Sequence, residues 1–157
     1  MRRLRNAIES SRGTATVEAA FVLPAYVVLL FAIVEFGHAQ LVVSLLQSGC
    51  RNGARMGALQ GPTTADVVLR VERTLGAAVD VAKASVLVLD ASVFDEGGDE
   101  PDSDAAIESL PAIELSQAEP RQLFIVRASV PYNDVALVPM PFLKGMVLDA
   151  QSFMRHE

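Results

Sequence analysis

From Ala19 to Val34 the chain carries no charged residue, and this run is entered through a glutamate, Glu18. A helix from Thr14 to Val34 would be about 31 Å long at 1.5 Å per residue, which matches the roughly 30 Å hydrocarbon thickness of a bilayer. The front of the molecule is therefore expected to form a membrane helix. Arg2, Arg3, Arg5 and Arg12 precede it, followed by Gly13. Basic residues beside a span set its orientation, so this leader should stay in the cytoplasm with the rest of the chain outside. An acidic group inside lipid costs roughly 2.5 to 3.5 kcal/mol at the centre of a span and less near an interface. Glu18 thus calls for a compensating positive partner.

The helical pattern does not stop with the span. No proline occurs from Glu35 through Leu59, and Phe36, Leu41, Val42, Leu45 and Leu46 continue an apolar stripe, with Glu35, His38, Gln40, Ser44 and Gln47 between them. One helix over Thr14–Leu59 would be about 69 Å long. Pro24 lies inside it and cannot donate to the carbonyl of Ala20, so a kink is expected there, with neighbouring helices able to satisfy the freed group. Gly49, Gly53 and Gly57 recur every four residues and share one side of the helix. Each glycine costs about 1 kcal/mol relative to alanine, so the series predicts that another backbone approaches closely and that the head packs on this stripe. Arg51 and Arg55 form a parallel basic stripe, solvated or paired with acidic groups of the head.

Beyond Gly61-Pro62, Thr63 and Asp66 form a capping-box signature at the start of a second helix. Its apolar face is read as Val68, Val71, Leu75, Ala78 and Val79. Ala84–Leu89 reads as a buried strand, Leu123–Val130 as the clearest strand, stopped by Pro131, and Met146–Phe153 as a third, after a turn at Pro139-Met140-Pro141. Asp95–Asp104 holds six acidic residues among ten, with glycine and proline between, and reads as the start of a solvated loop reaching about residue 120. The fold class expected is α+β: a long amino-terminal membrane helix running into a small head, with one amphipathic helix packed on a short antiparallel sheet. The organisation expected is a basic cytoplasmic leader (1–13), a transmembrane and extended helix (14–59) and an exported head (60–157).

Cys50 is the one cysteine, so the head has no internal disulfide, and Cys50 itself is expected as a small buried residue on the helix, with an intersubunit disulfide as the alternative. His38 and His156 lack ligand spacing with it, so no metal site is expected. The acidic loop does not follow the order of a twelve-residue calcium loop. Paired carboxylates occur only in that loop, and the head has no histidine before His156, so neither a catalytic site nor a cofactor is expected.

In Gly13-Thr14-Ala15-Thr16-Val17-Glu18-Ala19-Ala20-Phe21-Val22-Leu23-Pro24, in Glu35-Phe36-Gly37 and in Gly53-Ala54-Arg55 the chain resembles the TadE-like family, minor pilin-like proteins of bacterial tight-adherence pilus systems. The closing segment Ala150–Glu157 is also similar to the family's ending. The resemblance implies a non-enzymatic, single-pass subunit of the bacterial inner membrane. It also implies partners: membrane lipid, a prepilin peptidase that cuts between Gly13 and Thr14, and other pilin-like subunits with their assembly machinery. Glu18, at the fifth mature position, would then meet the new ammonium of Thr14 on a neighbouring subunit. Ala19, where major pilins often carry an aromatic, implies an accessory subunit rather than the main fibre protein. Loss of residues 1–13 removes four basic groups and one acidic group, leaving 9 against 18 and a net charge of −9, which excludes nucleic acid as a partner.

Three other readings compete. Gly37-His38-Ala39 would suit a signal peptidase cutting before Gln40, releasing a soluble domain. The chain could also remain uncut as a single-pass anchored binding module, or carry an exported enzyme. The amino-terminal residue separates the first two from pilin-type processing: Gln40, Met1 or Thr14.

Overall fold

The computed structural model describes residues 2–95, 104–138 and 143–157. Helix α1 runs without a break over Arg2–Gly57 with Pro24 inside it, and the chain divides into two compact units, Met1–Gly37 and His38–Glu157. In the first unit the apolar side chains from Val17 to Val34 are largely uncovered: Phe21 is 78% exposed and Val28 67%. α1 supplies a helix long and apolar enough to cross a membrane.

In the second unit the carboxy-terminal part of α1 forms one wall of the head. Val42, Leu46, Cys50 and Ala54 are fully buried at a spacing of four, one row of the helix surface. Phe36 and Leu41, expected on the apolar stripe, are exposed, because they project from other sides of the helix than this row.

Helix α2 spans Thr64–Leu75 and is capped by Thr63 in an extended conformation. The Thr63 N–H donates to Asp66 Oδ2 at 2.9 Å and the Asp66 N–H donates to Thr63 Oγ1 at 3.2 Å, closing the capping box the sequence predicted. Its buried row is Val67, Val71 and Leu75. The sequence had put Val68 and Ala78 on this face in place of Val67; Val68 is only half-buried, and Ala78 is exposed because the helix ends at Leu75.

Strands β1 (Ser85–Asp90), β2 (Leu123–Pro131) and β3 (Val147–Arg155) form an antiparallel sheet in the order β1-β2-β3. The fold is α+β. The central strand β2 is buried on both faces. Phe124, Val126, Ala128 and Val130 join Val88, Leu148, Ala150 and the rows from α1 and α2 in the main core. On the reverse face Ile125 packs with Leu89, Ala91 and Ile107 in a smaller cluster.

The excursion expected as a solvated loop is partly built into this fold. Residues 96–103 lie outside the described residues, as does the turn at Pro139-Met140-Pro141. From residue 104 the chain forms a short helix α3 (Asp104–Glu108), bridges Ala112 to Leu89 along the edge of β1, and plants Leu115 in the main core with no exposed area. A further short helix, α4 (Tyr132–Val135), follows β2 and buries Tyr132.

Candidate assembly helix and packing stripe

Gly13, Thr14, Glu18 and Pro24 all lie within α1. Glu18 is exposed and pairs with nothing among the described residues, while the side chains of Val17, Phe21, Val22 and Leu23 around it are also uncovered. Pro24 has no N–H to give, so the carbonyl of Ala20 lacks its usual helical donor. A carboxylate, a free carbonyl and a continuous apolar surface are thus presented within two turns of one helix. In lipid such groups call for polar partners.

The three glycines occupy a different environment. A Cβ on Gly53 would lie 2.6 Å from Val71 Cγ2 and 3.3 Å from Val67 Cγ1, both on α2. On Gly57 it would lie 2.7 Å from Leu115 Cδ1, 3.1 Å from Val67 Cγ2 and 3.2 Å from Phe124 Cε2. Gly49 is less confined, with Val71 Cγ1 at 3.3 Å. Side chains of α2, β2 and the Leu115 segment therefore sit where ordinary Cβ atoms would be.

Polar groups reinforce the same flank of α1. Cys50 donates its thiol to the Ala150 carbonyl at 3.3 Å, and burial pushes its pKa up to about 11, which makes it inert as a nucleophile. His38 Nε2 lies 2.9 Å from the Val135 carbonyl and His156 Nδ1 lies 3.1 Å from the Gly57 carbonyl, so each of those nitrogens carries the hydrogen. The Glu157 N–H donates to the Ala58 carbonyl at 2.7 Å, satisfying another acceptor at the helix end. The sequence reading missed His156 and Glu157 as caps, since no local signal marks a contact with a residue 99 positions away. It also missed Arg127, which is 3% exposed on β2 and lies 3.4 Å from Asp149. Arg51 and Arg55 line an open polar groove with Ser44, Gln47, Ser48 and Asn52, and neither is paired among the described residues.

Residues 13–55 match the family model described as TadE-like protein. This stretch of α1 is similar to that family. The match begins on Gly13 and ends two residues before α1 does, covering a little over a quarter of the chain. It does not take in residues 150–157, where the chain instead completes β3 and closes over the end of α1. No curated protein and no solved structure matches the chain. A TadE-like segment carried on an apolar helix of membrane-spanning length fits a membrane-anchored protein associated with tight-adherence pili.

Proposed function

We propose that the chain is a minor, pilin-like structural subunit of a tight-adherence pilus assembly, cut between Gly13 and Thr14 and recruited through its amino-terminal helix. The observation that carries this reading is the TadE-like match, which starts on the very glycine that would flank the cut and spans the uncovered apolar helix. The arginine-rich leader stays in the cytoplasm, where a prepilin peptidase removes it. The ammonium of Thr14 then offsets Glu18 of an adjacent subunit, and both charges leave water together rather than singly. Pro24 leaves the Ala20 carbonyl open to a donor on a neighbouring helix. Gly49, Gly53 and Gly57 let α2 and the sheet close onto α1, so the helix that joins the assembly also carries the head. The role is structural and involves no chemistry on a substrate.

The competing cut after Ala39 meets an obstacle in the fold. Gly37, His38 and Ala39 lie in the middle of α1, and Ala39 packs against the main core, so a signal peptidase would have to unwind a helix held by the head. Mass spectrometry of the protein from native membranes tests the proposal. Thr14 should be the first residue, Gly13→Ala should leave the precursor at full size, and Glu18→Ala should be cut yet fail to co-purify with the pilus assembly. A mature protein beginning at Gln40, or normal assembly by both variants, would refute it.

A further inference from the structure

The two edges of the sheet are not alike. The edge of β1 is covered toward its carboxyl end: Leu89 bridges Ala112, the Asp90 N–H donates to the Pro111 carbonyl at 2.8 Å, and the Ile113 N–H donates to the Val88 carbonyl at 3.4 Å. β3 has no such cover among the described residues. The bonds flanking its ladder with β2, Tyr132 N–H to the Met146 carbonyl at 2.9 Å and His156 N–H to the Gln122 carbonyl at 3.0 Å, fix the phase of that ladder. Even-numbered residues of β3 exchange both backbone bonds with β2, so Val147, Asp149, Gln151, Phe153 and Arg155 turn their N–H and C=O groups outward. That is a nine-residue strand with a bond-ready edge, and Val147 (51% exposed) and Phe153 (39%) lie along it. Such an edge, left open, is a template for pairing.

We propose that β3 pairs antiparallel with β3 of a second copy of this chain, about a two-fold axis at Ser152, joining two three-stranded sheets into one of six. The charge pattern selects both occupant and register. Centred on Gln151, the pairing would set Asp149 against Phe153 and leave both charges without a counter-charge across the strand. Centred on Ser152, Asp149 stands opposite Arg155 of the second copy, and the axis repeats the pair. Asp149 already lies 3.4 Å from Arg127, and Arg155 grips Asp95 through two bonds of 2.6 and 2.8 Å. The pairing links these into a row of four charges of alternating sign, Arg127, Asp149, Arg155 and Asp95, twice over. The outward-facing residues Gln151 and Phe153 pair across the axis, and Ser152 meets itself at a non-hydrogen-bonded position, where facing Cα atoms lie about 4.5 Å apart. This inference does not depend on cleavage after Gly13.

The Cα separation at Ser152 falls within the span a disulfide can bridge. In the full-length chain with Cys50→Ala as background, Ser152→Cys should give a disulfide dimer when native membranes are oxidised, while Ser85→Cys, on the far edge of the sheet, should stay monomeric. Adding Gln151→Pro removes one outward N–H and no backbone bond to β2, though it also deletes the side-chain amide that accepts from Arg127 at 3.4 Å. It should cut the dimer yield at least tenfold, whereas Gln151→Ala, which loses the same side-chain bond but keeps the N–H, should leave the yield unchanged. Arg155→Asp, which opposes like charges across the pair, should also lower the yield and serves as the second variant should the proline disturb folding. Ser152→Cys remaining monomeric, or cross-linking equally well with Arg155→Asp, would overturn the proposal.

Discussion

Replacing Gly53 with alanine sets two effects of known sign against each other at one atom. Alanine favours a helix over glycine by about 1 kcal/mol, so on an open helix the substitution stabilises. Here the new Cβ would lie 2.6 Å from Val71 Cγ2 and 3.3 Å from Val67 Cγ1. Both neighbours are β-branched, with one strongly preferred rotamer on a helix, so neither can swing aside and α2 itself must move. Overpacking of this kind costs about 1–3 kcal/mol, leaving a net loss of about 1 kcal/mol. Gly49→Ala is the internal control, because its closest contact is 3.3 Å and the helix gain should prevail. Cys50 reports the difference: it is fully buried beside the stripe, and with its pKa near 11 it reacts with a maleimide only when α1 separates from its neighbours. At pH 8, Gly53→Ala should be labelled about five times faster than the parent, and Gly49→Ala no faster. Equal labelling of the two variants would refute the argument that contact distance decides the sign.

Thr63→Ala removes the cap of α2 and should lower stability by about 1 kcal/mol, read from a urea melt followed by circular dichroism. The same corner should be acid-sensitive. Hydrogen bonds from the Thr63 hydroxyl and N–H hold Asp66 below its ordinary 3.8, and those from the Thr64 N–H and then Ser116 hold Glu114 below its ordinary 4.5. Both carboxylates are lowered on folding, so their contribution is complete above the unfolded values and is lost as pH falls through the folded ones. Asp66→Asn together with Glu114→Gln should flatten the loss of stability as pH falls below about 5. Leu115→Ala should cost about 2–5 kcal/mol by opening a cavity. Combined with Gly57→Ala, whose new Cβ would meet Leu115 Cδ1 at 2.7 Å, it should cost less than the two changes summed in melting experiments.

Elements written in local chemistry could be read directly from the sequence. The Thr63–Asp66 box, the β-branched run at Leu123–Val130 and the glycine period each fix backbone conformation or spacing within a few residues, and the structure places an element at each. The buried rows were less legible. Leu41 and Val42 are both apolar neighbours, and only the position of the sheet decides that Val42 points inward. Acidic, proline-bearing flanks make the Leu115 segment look solvated, yet the Thr64 hydroxyl donates to the Ile113 carbonyl at 2.8 Å and accepts from the Leu115 N–H at 3.0 Å. A contact made 51 residues away leaves no periodicity to find.

Three bonds from α1 reach far along the chain: His38 to Val135, Cys50 to Ala150 and Gly57 to His156 join residues 97, 100 and 99 positions apart. Closing a long loop costs only about 0.6 kcal/mol for each doubling of its length, so the penalty falls on timing more than on final stability. In the order of synthesis, α2 and β2 reach the inner flank of α1 first, and its cover is completed only when β3 follows. A product truncated ahead of β3 would keep its long apolar helix but display a greasy, unfinished surface, which is the kind of defect that surveillance proteases recognise.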